Sequence, residues 1–497
     1  MNVSPRRPLF NRRPQSNIYR MFLWVMMILG GVWFIQQVFR GEIKPLFEAT
    51  PTPTRAVESF LLEGEANFTA GNLDAAITAY QEALSVNPDS PQTWTDLARI
   101  QTYSSAFLIT DAERKDRLLA ALESARRAVE LASDDSTAHA VLAFALDWNA
   151  NPSIYKDDQR QVEKFLAEAE QEALIALQLD NTNTLALAYY AEVLLDQQKW
   201  SQAEQNINLA LEREDADQLM DVHRVNAYVL ETLAQYNLAI TEYDKAIAIE
   251  PNFTFLHLRA GANYRRLALA IPDAVAAKPV YEKSLEYFDR AASINEQIGV
   301  KDPTPYLSIS RTYSQLGEFF AAARNVQKAL EFDPTNADIY GQLGIVYFRS
   351  RNYEGSIFSF ACAIRGCAGE DSCKGRGLER CFPDLRENPV EIKGLPIGPN
   401  TIVYYYTYGS VLSALSRKRD NKCGDAMQIF SEVRAELSAN PDAYADGRET
   451  IITIVQSGES ICESLAEDGA PVSSVTGEAG TSTPEAGLSD VTATPSP

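Results

Sequence analysis

A 34-residue pattern recurs along this 497-residue chain and constrains its fold more than any single residue does. The clearest copy consists of Tyr340, Leu343, Gly344, Tyr347, Ser356, Phe360 and Ala363. The first copy consists of Phe60, Gly64, Gly71, Ala76, Tyr80, Ala83 and Pro88. Small residues stand where two helices would touch, and the proline stands where the second helix would end. The pattern therefore predicts helix pairs that bury their apolar faces by stacking on neighbouring pairs.

The repeats occupy most of the chain. Eight copies align on an alanine of the second helix, namely Ala83, Ala128, Ala176, Ala210, Ala246, Ala291, Ala329 and Ala363. Good helix formers dominate from residue 56 to 365, and the alternation of β-branched residues typical of strands is absent there. Three copies are stretched between their helices, at 102–113, 149–156 and 267–279, where we expect loops that leave the stack intact.

This pattern resembles the tetratricopeptide repeat. The resemblance implies an all-α fold, a right-handed superhelical α-solenoid, in which the first helix of each pair lines a concave groove. A fold of this kind serves to hold other molecules, so we expect a binding scaffold rather than an enzyme.

The resemblance also implies which residues face the groove, because positions 2, 5, 9, 12 and 13 of each first helix point inward. Its predicted peptide-binding residues are Arg99, Tyr103, Phe144, Trp148, Arg224, Tyr228, Arg265, Arg266, Arg311, Phe348 and Arg349. The predicted groove positions also include acidic residues, namely Glu58, Glu65, Asp147, Glu192, Asp196, Asp221, Glu231 and Asp338. Arginine forks and stiff aromatic faces suit an extended, partly acidic peptide. The alternative is that some arginines pair with groove acids on the next repeat.

Residues 18–39 form an apolar run with a single charge, Arg20. A spanning helix needs roughly 20 residues, so this run predicts a transmembrane signal-anchor. Four further arginines precede the run and Glu42 follows it, which places the N-terminus in the cytoplasm and the repeats outside it, in a single-pass protein of the cell membrane. A cleaved signal peptide and a buried core helix are the alternatives, although no small-residue cleavage site follows Phe39.

The net charge of the chain is −22. Residues 1–44 contain seven Lys or Arg and one Glu, a charge of +6, so the remainder carries −28. Such a surface repels nucleic acid, which we therefore do not expect as a partner. The acidity also keeps an exported protein soluble without any role in partner choice.

All six cysteines follow residue 361, at Cys362, Cys367, Cys373, Cys381, Cys423 and Cys462. An even number confined to one extracytoplasmic region predicts disulfides. If helices at 423–439 and 442–466 run antiparallel, Cys423 and Cys462 meet at the open end of the hairpin. The other four pair among themselves in an order that the sequence does not reveal. Zinc on these four thiolates is the alternative, disfavoured because paired C-x2-C spacing is absent.

The three histidines, His139, His223 and His257, each stand at the fourth position of a first helix, where other copies have an aromatic residue. We expect them to pack between helices rather than to bind a metal or act as a base. The sequence contains no recognisable nucleophile–base arrangement or phosphate-binding loop. We therefore predict no catalytic residues, no metal and no cofactor.

These observations predict a linear arrangement of segments. A cytoplasmic N-terminus (1–17), the anchor (18–39) and a Pro/Thr linker (40–55) precede eight repeats (56–365), a Cys-rich loop (366–400), a degenerate ninth repeat with a capping helix (401–466) and a disordered tail (467–497). The predicted function is a membrane-anchored protein interaction scaffold. The alternative is a receptor for a small ligand or carbohydrate, or a subunit of an envelope enzyme complex, that uses the Cys-rich segment.

Overall fold

The computed structural model describes residues 17–40, 55–108, 110–156, 158–381 and 388–467. The predicted N-terminus, linker and tail lie outside the described residues, apart from residues at their ends, as does part of the Cys-rich loop. The chain divides into two compact units, Met1–Ala56 and Val57–Pro497.

The first unit contains helix α1, Ile18–Phe39, whose N-terminus is capped by the side chain of Asn17. Its stretch Ile18–Val38 is long and apolar enough to cross a membrane, and none of it is buried inside the protein. At ~1.5 Å per residue, its 22 residues span about 33 Å, close to the hydrocarbon thickness of a bilayer. By length and composition, α1 is a candidate membrane span.

The second unit is a solenoid of paired helices. The first helices of the pairs are α2 (Val57–Thr69), α4 (Pro91–Ser104), α6 (Ser136–Asn149), α8 (Thr184–Asp196), α10 (Met220–Thr232), α12 (Thr254–Leu269), α14 (Thr304–Gln315), α16 (Ala337–Arg349) and α19 (Ile402–Leu415). The second helices are α3 (Leu73–Val86), α5 (Asp111–Leu131), α7 (Gln159–Leu179), α9 (Trp200–Leu211), α11 (Tyr236–Ile249), α13 (Ala274–Ile298), α15 (Phe319–Phe332), α17 (Tyr353–Arg365) and α20 (Cys423–Ala439). The predicted all-α solenoid is confirmed.

Small residues set the close approach of the two helices in each pair. The eight alanines on which the repeats align are all completely buried. Glycine plays the same part on the first helix, since a Cβ atom at Gly344 would lie 2.6 Å from the ring of Phe360 and one at Gly261 would lie 2.7 Å from Phe288. The glycines of the repeat therefore mark positions where an aromatic ring of one helix packs directly against the backbone of the other helix.

Gly344→Ala is expected to lower the free energy of unfolding by about 1–3 kcal/mol, because the added methyl group overpacks the buried ring of Phe360. Urea unfolding of the full chain in non-ionic detergent, followed by circular dichroism, measures the change. Gly424→Ala is the matched control, since a Cβ atom there meets nothing within 4 Å. A stabilised Gly344→Ala variant would refute the packing argument.

A repeated hydrogen bond explains the fourth position of the first helix. In four repeats, the ring nitrogen or hydroxyl of this residue lies within hydrogen-bond distance of the carbonyl oxygen six residues earlier: Trp94 and Pro88 (2.8 Å), His139 and Ser133 (3.2 Å), His257 and Pro251 (2.9 Å), Tyr340 and Pro334 (2.9 Å). The bond ties each first helix to the turn before it. All three histidines are buried, as expected for packing residues.

The solenoid closes on itself after five repeats. The side-chain amide of Asn252, just before α12, donates to the carbonyl oxygen of Thr69 at the end of α2 (3.0 Å). The ring centroids of Phe68 and Phe253 lie 4.9 Å apart, and those of Tyr103 and Phe255 lie 5.6 Å apart. The sixth repeat thus returns to the first two, and it encloses the concave face of the early repeats.

One predicted loop is wrong. The sequence predicts that residues 267–279 loop out, but α12 continues to Leu269 and α13 begins at Ala274 and passes through Pro279. The extended helix ends bury Ala268, Ala277 and Tyr281 in a small apolar cluster of their own. Burial of apolar surface stabilises these added turns, so the insertion lengthens the helices instead of the loop.

The cysteines form three disulfides at the C-terminal end of the solenoid. Cys423 in α20 is joined to Cys462 in α21 (Arg448–Glu467), the pair expected from an antiparallel hairpin. The other two bonds join Cys362 to Cys367 and Cys373 to Cys381. All six sulfurs are therefore used in disulfides, in place of the alternative zinc site.

The described part of the Cys-rich loop packs on the helices of the last repeats instead of projecting from them. It contains a short helix, α18 (Glu370–Gly375), which the sequence pattern did not predict. The hydroxyl of Ser359 donates to the carbonyl oxygen of Gly375 (2.7 Å), and the side-chain amide of Gln327 donates to that of Arg376 (3.0 Å). These contacts place the residues around α18 against α15 and α17.

Candidate functional site

The predicted groove residues fall into sets with very different exposure. Five are buried: Tyr103, Phe144, Trp148, Arg224 and Arg265. Five are half-buried: Arg99, Tyr228, Arg266, Phe348 and Arg349. Arg311 is exposed. The early and late parts of the concave face therefore differ in what they offer to a partner.

Asp221 in α10 organises the early part. It is completely buried and accepts hydrogen bonds from Arg99 (Nε, 3.3 Å), Tyr189 (2.6 Å) and Tyr103. Burial alone would raise the pKa of this carboxyl group, but the charge and hydrogen bond of Arg99, with the charge of Arg224 and the hydroxyl of Tyr103, lower it to about 2. Asp221 is therefore ionised and fully engaged within the protein.

Arg224, one turn further along α10, is engaged in the same way. Its Nη1 atom donates to Glu192 in α8 (2.6 Å), which also accepts from Trp148 Nε1 (3.3 Å). Its guanidinium group lies 5.5 Å from the ring centroid of Tyr103 and 5.4 Å from that of Phe144. We call the following residues the inner cluster: Arg99, Tyr103, Phe144, Trp148, Tyr189, Glu192, Asp221 and Arg224.

The alternative interpretation, in which the arginines pair with groove acids on the next repeat, is right about the acids and wrong about the repeat. Arg224 pairs with the preceding repeat, and Arg266 pairs with Glu231 of the preceding repeat. Arg99 reaches Asp221, which is 122 residues away in the sequence. The structure thus brings the early groove residues together, but their polar groups contact one another.

Two acids on the concave side of α6 and α8 lack an arginine partner among the described residues. Asp147 in α6 is buried, and both of its carboxylate oxygens lack a hydrogen bond within the described residues. Burial and the nearby Asp196 and Glu192 raise its pKa well above the ordinary value. Half-buried Asp196 accepts from the Tyr228 hydroxyl (2.9 Å), and burial with Glu192 raises its pKa to about 7.

These two acids give the stability of the early repeats a distinctive pH dependence. A carboxyl group whose pKa is raised by folding stabilises the fold fully below its ordinary pKa of 3.8 and loses this contribution as pH rises through its folded pKa, about 7 for Asp196. We expect Asp147→Asn to reduce the loss of stability between pH 4 and pH 8. Urea unfolding at both pH values tests this, with exposed Glu204→Gln as control. An equal loss in wild type and Asp147→Asn would contradict the assignment.

The late part of the concave face is more open. Arg311 in α14 is exposed and Arg349 in α16 is half-buried, and neither makes an ion pair with another described residue. Burial lowers the pKa of Arg349 below its ordinary value. Phe348 beside it and Tyr406 in α19 are half-buried. We call Arg311, Ile345, Phe348, Arg349 and Tyr406 the late groove.

Ile345 and Tyr406 are the late-groove residues that the sequence prediction omitted. The signal was present, because Tyr406 directly follows Tyr405, which stands at the fourth position of the degenerate ninth repeat. Asp338, a predicted groove acid, accepts hydrogen bonds from Tyr404 (2.7 Å) and Gln342 (2.7 Å). Its charge is therefore satisfied by neutral donors, and it leaves the arginines of the late groove available.

No group of three or more His, Cys, Asp or Glu side chains is placed to hold a metal ion in the part of the chain that the structure describes. The described concave face offers guanidinium groups, aromatic rings and hydroxyl groups, which are suited to binding other molecules.

Comparisons with known proteins agree with the helix pairs. Family models described as tetratricopeptide repeat match residues 57–100, 227–253 and 326–358. The crystal structure of TTC0263, a thermophilic TPR protein in Thermus thermophilus, is similar with 21% identity and a TM-score of 0.33 over 42% of this chain and 98% of that one. A human IFIT1 dimer with PPP-AAAA is similar with 15% identity and a TM-score of 0.43 over 84% of this chain and 92% of that one. The recurring pattern, the stacked helix pairs and the three family matches show that the chain contains tetratricopeptide repeats.

Proposed function

We propose that this protein is a non-catalytic, membrane-anchored scaffold that binds an extended, partly acidic segment of a partner protein in its late groove. The observation that carries the proposal is the pair Arg311 and Arg349, which have no carboxylate partner among the described residues and lie on neighbouring first helices. A guanidinium group that is half-buried without a counter-ion gains most from a carboxylate supplied by another molecule.

The apolar residues of the late groove support a peptide rather than a small anion. Ile345, Phe348 and Tyr406 are half-buried and lie on the same first helices as the arginines or on the next one. Aromatic side chains supply contact area at a low cost in conformational entropy, and arginines next to them fix orientation. The combination suits a segment with acidic residues spaced by apolar ones.

The early concave face is less suited to the same role. A peptide that used Arg99 or Arg224 would have to break an ion pair that is already buried, Arg99 with Asp221 or Arg224 with Glu192. Loss of one partner from a buried pair typically costs about 3–5 kcal/mol. We therefore propose that the inner cluster holds the early repeats in shape and that the partner contacts the later ones.

Three features support the anchored topology. Helix α1 has the length and composition of a membrane span. The arginines before it favour a cytoplasmic N-terminus under the positive-inside rule. The disulfides of the second unit are typical of an oxidising, extracytoplasmic compartment. Anchoring would raise the local concentration of captured partners at the membrane.

The double variant Arg311→Glu/Arg349→Glu is expected to weaken binding of acidic partner peptides by about 10-fold or more, since a hydrogen bond to a charged group contributes about 1.5–3 kcal/mol. Fluorescence anisotropy of labelled peptides with aspartate or glutamate spaced by apolar residues, added to the full chain in non-ionic detergent, measures the change. Arg324→Glu is the matched control, because Arg324 is exposed on the second helix α15. An equal loss of peptide affinity in both variants would show that net charge alone causes the effect, and it would overturn the late-groove proposal.

A further inference from the structure

Not every carboxyl group on α6, α8 and α10 has an arginine partner among the described residues. Five carboxylates stand on α6, α8 and α10, at Asp147, Glu192, Asp196, Asp221 and Glu231. Four arginines pair with three of them, as Arg99 with Asp221, Arg224 with Glu192, and both Arg259 and Arg266 with Glu231. The unmatched groups are Asp147 and Asp196.

Asp147 differs from every other acid of this face. Its side chain is 2% exposed, and neither oxygen atom has a hydrogen-bond partner among the described residues. The charged groups facing it are Asp196 and Glu192 from α8 and Arg224 from α10, and Arg224 is already held by Glu192. A buried carboxylate without a partner is strongly disfavoured, so this position requires a proton or a cation.

Asp196 is the more exposed of these two carboxyl groups. It is half-buried, its only described hydrogen bond comes from the Tyr228 hydroxyl (2.9 Å), and most of its lone pairs are unused. Since its pKa is raised to about 7, the pair holds a proton near neutral pH. A cation with hydrogen-bond donors could displace that proton and satisfy both carboxylates.

The chemistry of the two carboxyl groups limits which cation fits. The two guanidinium groups of the inner cluster are held by carboxylates, Arg224 by Glu192 and Arg99 by Asp221. Asp147 and Asp196 stand on different helices, an arrangement that suits a compact ion whose three donors point in different directions. A metal ion is less suitable, because the described residues contain no group of three or more ligands placed for one.

We propose that Asp147 and Asp196 form a binding site for one primary ammonium group, reached from the side of Asp196, with the Tyr228 hydroxyl as a third polar contact. The ammonium belongs either to a free alkylamine or to a lysine side chain of a protein. On binding, the ammonium donates hydrogen bonds to both carboxylates, and the proton that the pair held is released to solvent. The site is separate from the late groove and does not depend on the function proposed for it.

Calorimetric titration of the full chain in non-ionic detergent at pH 7 tests the site, with proton release followed in a pH-stat. The probes are butylammonium chloride and Nα-acetyl-lysine amide, which represent the free amine and the lysine side chain. Tetramethylammonium chloride is the control ion, because it has the same charge and no N–H donor. We expect saturable binding of one butylammonium ion per chain with proton release, and at least 10-fold weaker binding of tetramethylammonium. Binding of the lysine amide as tight as that of butylammonium would assign the site to protein lysines, and much weaker binding would assign it to free amines.

Two variants make the test specific. Asp147→Asn and Asp196→Asn are each expected to weaken butylammonium binding at least 10-fold, while exposed Glu204→Gln leaves it unchanged. Each variant is first checked by circular dichroism, and Asp196→Asn alone suffices if Asp147→Asn does not fold. Absence of saturable binding to wild type would show that the pair holds only a proton and would overturn the proposal. Equal binding of tetramethylammonium, or unchanged binding in both Asn variants, would overturn it as well.

Discussion

Asp221→Asn is expected to lower the free energy of unfolding by about 3–5 kcal/mol, the typical cost of breaking a buried ion pair from one side. Asp221 is completely buried and accepts from Arg99, Tyr103 and Tyr189, which come from two other repeats. The neutral amide leaves the Arg99 guanidinium without its counter-ion and presents N–H groups where three donors already converge. Urea unfolding of the full chain, followed by the fluorescence of Trp148 in the inner cluster, measures the loss.

Asp338→Asn provides the matched control for Asp221→Asn. Asp338 stands at the same position of its repeat, but among the described residues its carboxylate accepts from the neutral groups of Tyr404 and Gln342. Loss of hydrogen bonds to neutral donors is expected to cost about 1 kcal/mol. A loss for Asp221→Asn as small as that for Asp338→Asn would show that the inner cluster does not hold the early repeats together.

The effect of Asp221 also has a definite pH window. Its pKa is lowered from 3.8 to about 2 in the folded state, so its contribution is present above the ordinary pKa and disappears as pH falls through the folded value. Wild type should therefore lose stability between about pH 4 and pH 2 through this group, and Asp221→Asn should lack that part of the acid transition. The sign is opposite to that of Asp147 and Asp196, whose pKa values folding raises.

The double variant Cys423→Ala/Cys462→Ala is expected to lose about 4 kcal/mol of stability in the C-terminal cap. This bond closes the longest of the three cysteine loops, with a sequence separation of 39, and chain entropy of the unfolded state grows with loop length. Hydrogen exchange of the backbone amides in α19, α20 and α21 localises the loss. The cap covers the last repeat, where Val455 and Phe430 are completely buried.

Cys373→Ala/Cys381→Ala is the comparison, because that bond closes a loop with a separation of 8. The same entropy relation gives a smaller loss, about 2.5 kcal/mol, located in the Cys-rich loop and α17. Faster exchange of α21 in the Cys373 variant than in the Cys423 variant would contradict the role given to the long-range bond.

Much of the fold could be predicted because each repeat is determined by neighbours in the sequence. The alanine on which the repeats align and Gly344 are small because the other helix of the same pair packs directly against them. This contact is local in the sequence. The antiparallel hairpin that pairs Cys423 with Cys462 is likewise a local property. Helix ends are predicted less well, since the capping helix expected from residue 442 begins at Arg448, after a short 3-10 turn at Pro441–Tyr444.

The candidate site could be predicted only in part. The projection onto the repeat found residues of the concave face, but closure of the solenoid sums a small rotation over five repeats, which no single repeat encodes. The contact of Arg99 with Asp221 and that of Asn252 with Thr69 depend on that sum. The same closure decides that Tyr103 and Arg224 are buried while Arg311 is exposed, although all three stand at predicted groove positions.

Site-specific photocrosslinking in native membranes tests most directly whether partners bind the late groove. A benzophenone side chain replaces either Phe348 in the late groove or Phe320, which is 81% exposed on α15 outside the groove. We predict that position 348 crosslinks a discrete partner, that position 320 does not, and that Arg311→Glu/Arg349→Glu abolishes the crosslink. A partner that crosslinks from position 320 and not from 348, or a crosslink at 348 that survives both charge reversals, would contradict the account.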